Sequence, residues 1–387
     1  MKVRYPEDYR KGTIGPLQAF SISYQNVLGV GVLFMPATVA ASTQRSGIFS
    51  ILLMGFFCWI IVSVVTWGIK RYPQMSLWEI GTQVFGTRKN PKVGKWLFAP
   101  IFILLMVNWL MYIAVEISLF VTTLKIEYFT QTPNSVLIVL SLLLSMYAAK
   151  QGPATIARLN VLLLPVTVIP LLLFLFSTFE GGELINIIPT LPDDWGAFFS
   201  GSLNTLFSFA GFTIFLGYIG FYRRPDKSGK AHSWAVWAIT FWYVLTYIFC
   251  LSVFGPEDIS NYLTPVLSLV TESQSDQFLI ERLDPAFLPA WMVMVFTTTS
   301  NSLFAVSYAM KEFLGVKEET RGTIIFILSS IAFVIAMLPT DLSTFNEVLK
   351  QYQMITWSIS IPFTLICALF AVIRKRGRKG EHDAPVS

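Results

Sequence analysis

Long apolar runs separated by short polar segments dominate the pattern of this 387-residue chain. Ten of these runs are long enough to cross the roughly 30 Å hydrocarbon core of a bilayer as helices. Backbone groups in lipid must be paired within their own segment, and the alternation of apolar and polar positions that marks a membrane strand is absent. The pattern therefore predicts an all-α integral membrane protein with about ten transmembrane helices. The runs lie near residues 14–40, 47–69, 97–124, 134–149, 159–179, 195–221, 232–254, 286–310, 322–338 and 354–373.

The composition agrees with a chain that lies mostly in lipid. Hydrophobic residues make up 54% of the chain, charged residues make up 13%, and the mean hydropathy is +0.61. Charged residues account for about 25% of an average soluble domain. The three cysteines fall in apolar runs, and the two histidines have no metal-ligating neighbours at a suitable spacing. The sequence therefore predicts no disulfide framework, no metal site and no cofactor.

Basic residues are distributed unequally between the two sides of the predicted spans. All but four of the 28 lysines and arginines fall on the side that carries both termini. Positive charge accumulates on the cytoplasmic side of membrane proteins, so both termini are expected in the cytoplasm, with a basic tail over residues 374–387. The charged start of the chain predicts that the first span is retained rather than cleaved. The net charge of +5 is thus a topology signal and implies no nucleic-acid partner.

The number of spans suggests an internal repeat. Because five is odd, a second set of five spans must enter the membrane from the opposite face to the first set. Many secondary transporters are built as such a 5+5 inverted repeat, with discontinuous helices near the middle of the membrane. The single membrane domain, residues 1–387, is accordingly divided into a first repeat, 14–179, and a second repeat, 195–373.

Candidate breaks occur in the first and sixth spans, the first helix of each repeat. Gly29-Val30-Gly31 lies about midway along the first span, and Phe209-Ala210-Gly211, followed by Thr213, lies at a comparable depth in the sixth. Glycine tolerates an opened backbone whose unpaired groups can face a ligand. The N-terminal end of a half-helix suits a carboxylate, so a zwitterionic amino acid is the natural candidate ligand. Close packing of helices is the alternative explanation for each glycine taken alone.

Polar residues in other spans are further candidates. Glu116 is the one clear ionisable residue inside an apolar run, and such residues are costly in lipid. Its distance along the third span, about 28 Å at 1.5 Å per residue, predicts a position near the outer edge, where it would be hydrated or act as a gate or structural acid. Thr298 is selected by depth from the polar run 297–302, whose hydroxyls could alternatively bond to their own helix. The predicted ligand-binding residues are Gly29, Val30, Gly31, Asn108, Tyr112, Phe209, Ala210, Gly211, Thr213 and Thr298.

Several segments together resemble the B-subunit family of spore germinant receptors, an offshoot of the amino acid, polyamine and organocation transporter superfamily. The resemblance extends over nearly the whole chain. The segments that carry it are Gly29 to Leu33 with Pro36, Gln151 to Asn160, Asn186 to Pro189, Ser208 to Phe212, and Glu281 to Asp284 with Trp291.

This resemblance implies a LeuT-like fold with broken first and sixth helices. It also implies a nutrient-sensing role in the inner membrane of dormant spores of a Gram-positive spore former. Subunits of this family act beside a larger A subunit and a lipoprotein C subunit, and they sense nutrients such as amino acids.

Two departures from related permeases bear on the function. Thr213 stands where many of them carry an acidic residue, and the fifth span lacks the lysine of some proton-coupled relatives. Thr213 therefore offers no carboxylate for a ligand amino group, and the missing lysine mildly favours sensing over pumping. An active amino-acid permease remains the alternative, and a passive scaffold or small-solute channel is a third possibility. No nucleophile is paired with a base, so the sequence does not predict an enzyme.

Overall fold

The computed structural model describes residues 13–86, 91–188, 190–192, 194–271 and 283–338, and this part of the chain is almost entirely helical. The α-helices are α1 (Pro16–Val27), α2 (Gly31–Thr43), α3 (Gly47–Ile69), α4 (Leu77–Phe85), α5 (Pro91–Glu127), α6 (Asn134–Lys150), α7 (Pro153–Leu163), α8 (Val168–Gly181), α9 (Trp195–Thr205), α10 (Pro225–Asp258), α11 (Pro265–Thr271), α12 (Asp284–Leu314) and α13 (Arg321–Met337). Short 3-10 helices occupy Gln44–Ser46, Leu164–Thr167, Leu184–Ile187, Leu206–Phe209, Phe212–Gly217, Ile219–Phe221, Ile259–Asn261 and Glu318–Thr320.

Each of the first nine predicted spans coincides with one or more of these helices. The tenth predicted span, 354–373, and the basic tail, 374–387, lie outside the described residues. Within the described ranges, five stretches are long and apolar enough to cross a membrane, and α6 is a shorter apolar helix. The five stretches are Gly31–Ile69, Lys92–Glu127, Pro153–Phe179, Pro225–Asn261 and Glu318–Met337.

The first and sixth predicted spans are both interrupted, as the glycine segments predict. In the first span, α1 ends at Val27 and α2 begins at Gly31, so residues 28–30 lie outside regular helix. In the sixth span, α9 is followed by two 3-10 helices with Gly211 between them. Gly211 has a φ of +88°, a left-handed conformation that side chains other than glycine rarely adopt.

The interrupted helices lie against α10 and α12. The α1 helix packs against α7, α10 and α12 and against the 3-10 helix Phe212–Gly217. The α2 helix packs against α9, α10 and α11. Close approach of α3 and α10 depends on Gly55, because a Cβ atom there would overlap the Thr240 side chain. These contacts hold both interruptions inside the helical bundle.

Main-chain hydrogen bonds join the start of the first interrupted helix to the end of the sixth span. The Ile14 amide donates to the Phe221 carbonyl oxygen at 3.0 Å, and the Arg223 amide donates to the Ile14 carbonyl oxygen at 2.9 Å. Together they form an isolated parallel bridge between Ile14 and Tyr222. The two interrupted helices are thus connected outside the bundle centre as well as within it.

Large apolar side chains cover much of the outer surface. On α6, Leu140, Leu143 and Leu144 are each more than half exposed, and Phe326 on α13 is similarly exposed. A soluble monomer rarely displays contiguous apolar surface of this extent, whereas lipid tails solvate it without cost. The helices and this surface identify a multi-pass membrane protein.

Candidate functional site

The interruption of the first span lies between α5 and α12. A Cβ atom on Gly29 would overlap the Glu116 carboxyl group of α5 and would approach the Thr298 hydroxyl of α12 to 3.1 Å. Gly31 is close to the second interruption, since a Cβ atom there would lie 3.3 Å from the Ser208 Cα. Because these glycines have no side chain, the two interruptions and the neighbouring helices α5 and α12 can approach each other closely.

Glu116 lies at the first interruption. Its Oε2 accepts a hydrogen bond from the Val30 amide at 2.8 Å, and its side chain is 3% exposed. The expectation of a hydrated residue near the outer edge is therefore wrong. The α5 helix has 37 residues and is about 55 Å long, which exceeds the core of a bilayer, so distance along it does not give depth.

The Tyr112 hydroxyl lies between the two interruptions. It donates to the Asn26 carbonyl oxygen at 2.8 Å and also contacts the Glu116 carboxyl one turn along α5. A Cβ atom on Gly211 would lie 2.6 Å from this hydroxyl oxygen. Position 211 thus requires glycine for two reasons. Its backbone conformation is left-handed, and Tyr112 fills the space that a side chain would occupy.

Asn26 and Tyr243 join the same two interruptions. The Asn26 side-chain amide donates to the Gly211 carbonyl oxygen at 3.0 Å. The Tyr243 hydroxyl of α10 lies 2.9 Å from the Val27 carbonyl oxygen and 2.6 Å from that of Ser208. One hydroxyl proton is shared between these two acceptors. The hydrogen bonds of both side chains therefore depend on the relative position of the two broken helices.

Thr298 differs from the other hydroxyls of its polar run. Its Oγ1 donates to the Gln25 carbonyl oxygen of α1 at 2.8 Å, and the side chain is fully buried. By contrast, its neighbours at positions 297, 299, 300 and 302 all donate to carbonyl oxygens of α12 itself. The alternative interpretation of the run therefore holds for these neighbours, although Ser302 Oγ also lies 3.3 Å from the Asn26 Oδ1 of α1. Thr298 donates across to the broken helix.

A network of side-chain amides borders the first interruption. Asn160 of α7 and Asn301 of α12 exchange two hydrogen bonds of 2.8 and 3.0 Å. Gln25 donates its Nε2 to the Asn160 carbonyl oxygen. The Gln25 Oε1 is buried and has no hydrogen-bond partner among the described residues. This network couples α1 to both α7 and α12.

The remaining predicted residues lie around this centre. The Thr213 hydroxyl accepts from the Trp109 indole N–H at 3.0 Å, and the Phe209 ring packs edge-on against Tyr243 with ring centroids 5.2 Å apart. Asn108 and Ala210 are buried. In the part of the chain that the structure describes, no group of three or more His, Cys, Asp or Glu residues could hold a metal ion.

Similarity to known proteins assigns this chain to a family. The family model for spore germination proteins, Spore_permease, matches residues 13–345. The chain belongs to the spore germination protein family. Among its relatives, spore germination protein YndE of Bacillus subtilis (strain 168) is 25% identical over 94% of this chain and 97% of its own. Spore germination protein GerLB of Bacillus cereus is 25% identical over 98% and 99%.

The fold of this germination protein is that of LeuT-like transporters. It is similar to Mhp1, a nucleobase-cation-symport-1 family transporter solved in a closed conformation with bromovinylhydantoin bound. The TM-score is 0.65 and the identity 14%, over 98% of this chain and 82% of Mhp1. It is also similar to MhsT in complex with L-phenylalanine, with a TM-score of 0.66 and 13% identity over 96% and 94%. At these identities the likeness establishes the fold alone, and it confirms the predicted fold class.

Sequence reasoning missed three residues of the germination protein's central site. Gln25, Asn26 and Tyr243 are not among the predicted residues. Gln25 accepts a hydrogen bond from Thr298, and Asn26 and Tyr243 bond to the ends of the interrupted helices. Gln25 and Asn26 lie four and three residues before Gly29, and two consecutive amides in an otherwise apolar run are a usable signal. Tyr243 follows a tryptophan in an aromatic segment, and nothing in its local sequence distinguishes it.

Proposed function

We propose that this germination protein is the nutrient-sensing subunit of a spore germinant receptor. A small nutrient, an amino acid in the first instance, binds between the broken first and sixth helices. The observation that carries the proposal is the convergence of Asn26, Tyr112 and Tyr243 on both interruptions. A ligand that changes any of these bonds changes the relative position of the two helices.

The proposed signal is a shift between two conformations. A ligand can drive such a shift only if its affinity differs between them. Hydrogen bonds that join the interruptions provide this difference, because a ligand inserted among them stabilises one arrangement of the helices. The ligand-binding residues predicted from the sequence remain the proposed set, and Glu116 is added to it because it bonds to Val30.

The proposal includes partners and a location. The chain would lie in the spore inner membrane with both termini in the cytoplasm, beside A-type and C-type receptor subunits. Membership in the germination family and the asymmetry of basic residues support this arrangement. The partners would detect the conformational change, so no solute need cross the membrane.

The second candidate function is an active amino-acid permease. It is favoured by the transporter fold, since the similar structures are a transporter and a protein in complex with L-phenylalanine. Against it stand Thr213 at a position that carries an acid in many permeases, and a fifth span, 159–179, without a lysine.

Binding and uptake in proteoliposomes distinguish the two functions. The purified full chain should bind a labelled amino acid saturably without accumulating it, with or without a proton or sodium gradient. Gly29→Leu should abolish binding, because the side chain would overlap Glu116 and Thr298. Concentrative, gradient-driven uptake would overturn the sensor and leave the permease standing. Intact assembly with its partners but no detectable binding would instead indicate a passive scaffold or channel.

A further inference from the structure

The protein's own carboxyl group occupies the start of α2. The first amides of a helix have no partner within the helix, and together with the helix dipole they attract an anion. Val30 precedes the first residue of α2, and its amide donates to Glu116 Oε2 at 2.8 Å. A ligand carboxylate at this amide would have to displace Glu116.

Among the residues that the structure describes, Glu116 has no countercharge, because no lysine, arginine or histidine there forms an ion pair with it. A charge buried without a partner is strongly destabilising. Within the described ranges, the site therefore has an acid at its centre and no basic side chain paired with it.

Five groups at the junction of the two interruptions already donate a hydrogen bond within the protein, and the Asn26 amide keeps a second N–H. Each of these groups donates to another protein atom. They are the Val30 amide, the Asn26 side-chain amide, and the hydroxyls of Tyr112, Tyr243 and Thr298.

Acceptors, by contrast, are in excess. The Gln25 Oε1 is fully buried and has no partner among the described residues. The Tyr243 hydroxyl has one proton for two carbonyl oxygens, those of Val27 and Ser208. Glu116 adds a carboxyl group. A primary ammonium group carries three donors, no acceptor and a positive charge, and it complements this arrangement.

We propose that the ligand is recognised through a primary ammonium group by Glu116 and the neighbouring acceptors, and not through a carboxylate at the start of α2. The inference rests on the proposed function, since it concerns the same site. It assigns to Glu116 of α5 the recognition of the amine for which Thr213 of the sixth span offers no charge. Ligands of this class are small primary amines, and an amino acid qualifies by its amine.

Matched ligand series test the proposal on the wild-type chain. Each series combines an L-amino acid, its primary amide and the corresponding L-2-hydroxy acid, for alanine, valine and phenylalanine. Thermal unfolding of the purified full-length protein in detergent is measured against concentration of each compound. We expect the amino acid and amide of at least one series to stabilise the protein with apparent Kd values within about threefold of each other, and the hydroxy acid not to stabilise it.

The outcomes separate this inference from the function on which it rests. Stabilisation by the amino acid and the hydroxy acid but not by the amide would overturn the ammonium proposal, since a carboxylate would then displace Glu116, while ligand binding itself would stand. Absence of stabilisation in all three series would overturn the proposed function and the inference with it.

A pair of variants on one helix tests the role of Glu116. Glu116→Gln keeps an oxygen that can accept from the Val30 amide but removes the charge. Glu127→Gln makes the same change at an exposed position of α5. We expect Glu116→Gln to weaken binding of the stabilising amide at least tenfold and Glu127→Gln to leave it unchanged. Equal binding by the wild type and both variants would overturn the proposal. The wild-type ligand series decides the question if Glu116→Gln does not fold.

Discussion

The side-chain amide of Asn26 donates to the carbonyl oxygen of Gly211 at 3.0 Å and joins the two interrupted helices across 185 positions of sequence. Asn26 lies in the last turn of α1, and Gly211 lies between the two 3-10 helices of the sixth span, where its carbonyl oxygen also accepts the Ile214 amide at 3.0 Å. The bond therefore joins the two helices at their interruptions, and the residues around it are the most informative places for substitution.

Gly211→Ala should abolish the nutrient response. The variant has a methyl group in a left-handed conformation, which costs about 1–2 kcal/mol, and places it beside the Tyr112 hydroxyl. Germination of spores carrying the variant measures the response. Gly315→Ala is the matched control, because Gly315 has a φ of +66° but nothing within 4 Å of an added Cβ atom. Equal loss in both variants would attribute the effect to backbone strain alone.

Thr298→Val should raise the nutrient concentration needed for a half-maximal response. The change removes the hydroxyl that donates to Gln25 and keeps the shape of the side chain. Loss of one buried hydrogen bond typically costs about 1 kcal/mol, which corresponds to a shift of about fivefold. Thr297→Val removes a hydroxyl that bonds within α12 and should have a smaller effect. The response to a non-nutrient germinant and the level of the A subunit should be normal in both variants.

Tyr243→Phe should loosen the junction of the two helices. The hydroxyl is within hydrogen-bonding distance of the Val27 and Ser208 carbonyl oxygens, so its loss leaves buried acceptors unsatisfied at a cost of about 1–3 kcal/mol. We expect a lower melting temperature in detergent together with altered nutrient sensitivity. Tyr247→Phe, one turn along α10, removes a bond to Gln44 outside the junction. If it alters sensitivity equally, the effect of Tyr243 is one of stability only.

The predicted topology can be tested with single engineered cysteines. Replacements at the exposed residues Asp194 and Asn261 should react with a membrane-impermeant reagent in intact cells. A cysteine at the exposed Lys227 should react only after permeabilisation. The native Cys58 and Cys250 are buried and should contribute little background. Protection of the first two positions in intact cells would contradict the assignment of sides.

Helix positions and both interruptions could be predicted from local sequence. Runs of apolar residues define the spans, and the glycines mark where regular helix ends because the information lies within a few adjacent residues. Depth selects Thr298 from the six polar residues of its run, and the structure places its hydroxyl 2.8 Å from the Gln25 carbonyl oxygen of α1; its role in ligand binding stays a prediction.

The environment of Glu116 and the role of Tyr243 could not be predicted in this way. Glu116 was assigned by counting along one helix, whereas its burial depends on the contact of α5 with the interruption at Val30. Tyr243 meets Val27 across 216 positions of sequence. Such contacts depend on how helices pack, and a single sequence with no alignment contains no direct record of them.

The pairing of Ile14 with Phe221 and Arg223 uses main-chain atoms only. Selection on side chains therefore cannot readily remove it, and two members of a lineage could differ at all three positions while retaining the same connection. Proline is the exception at positions 14 and 223, because it has no amide hydrogen to donate. Sequences can therefore diverge at these positions and still retain the main-chain hydrogen bonds that connect the two broken helices.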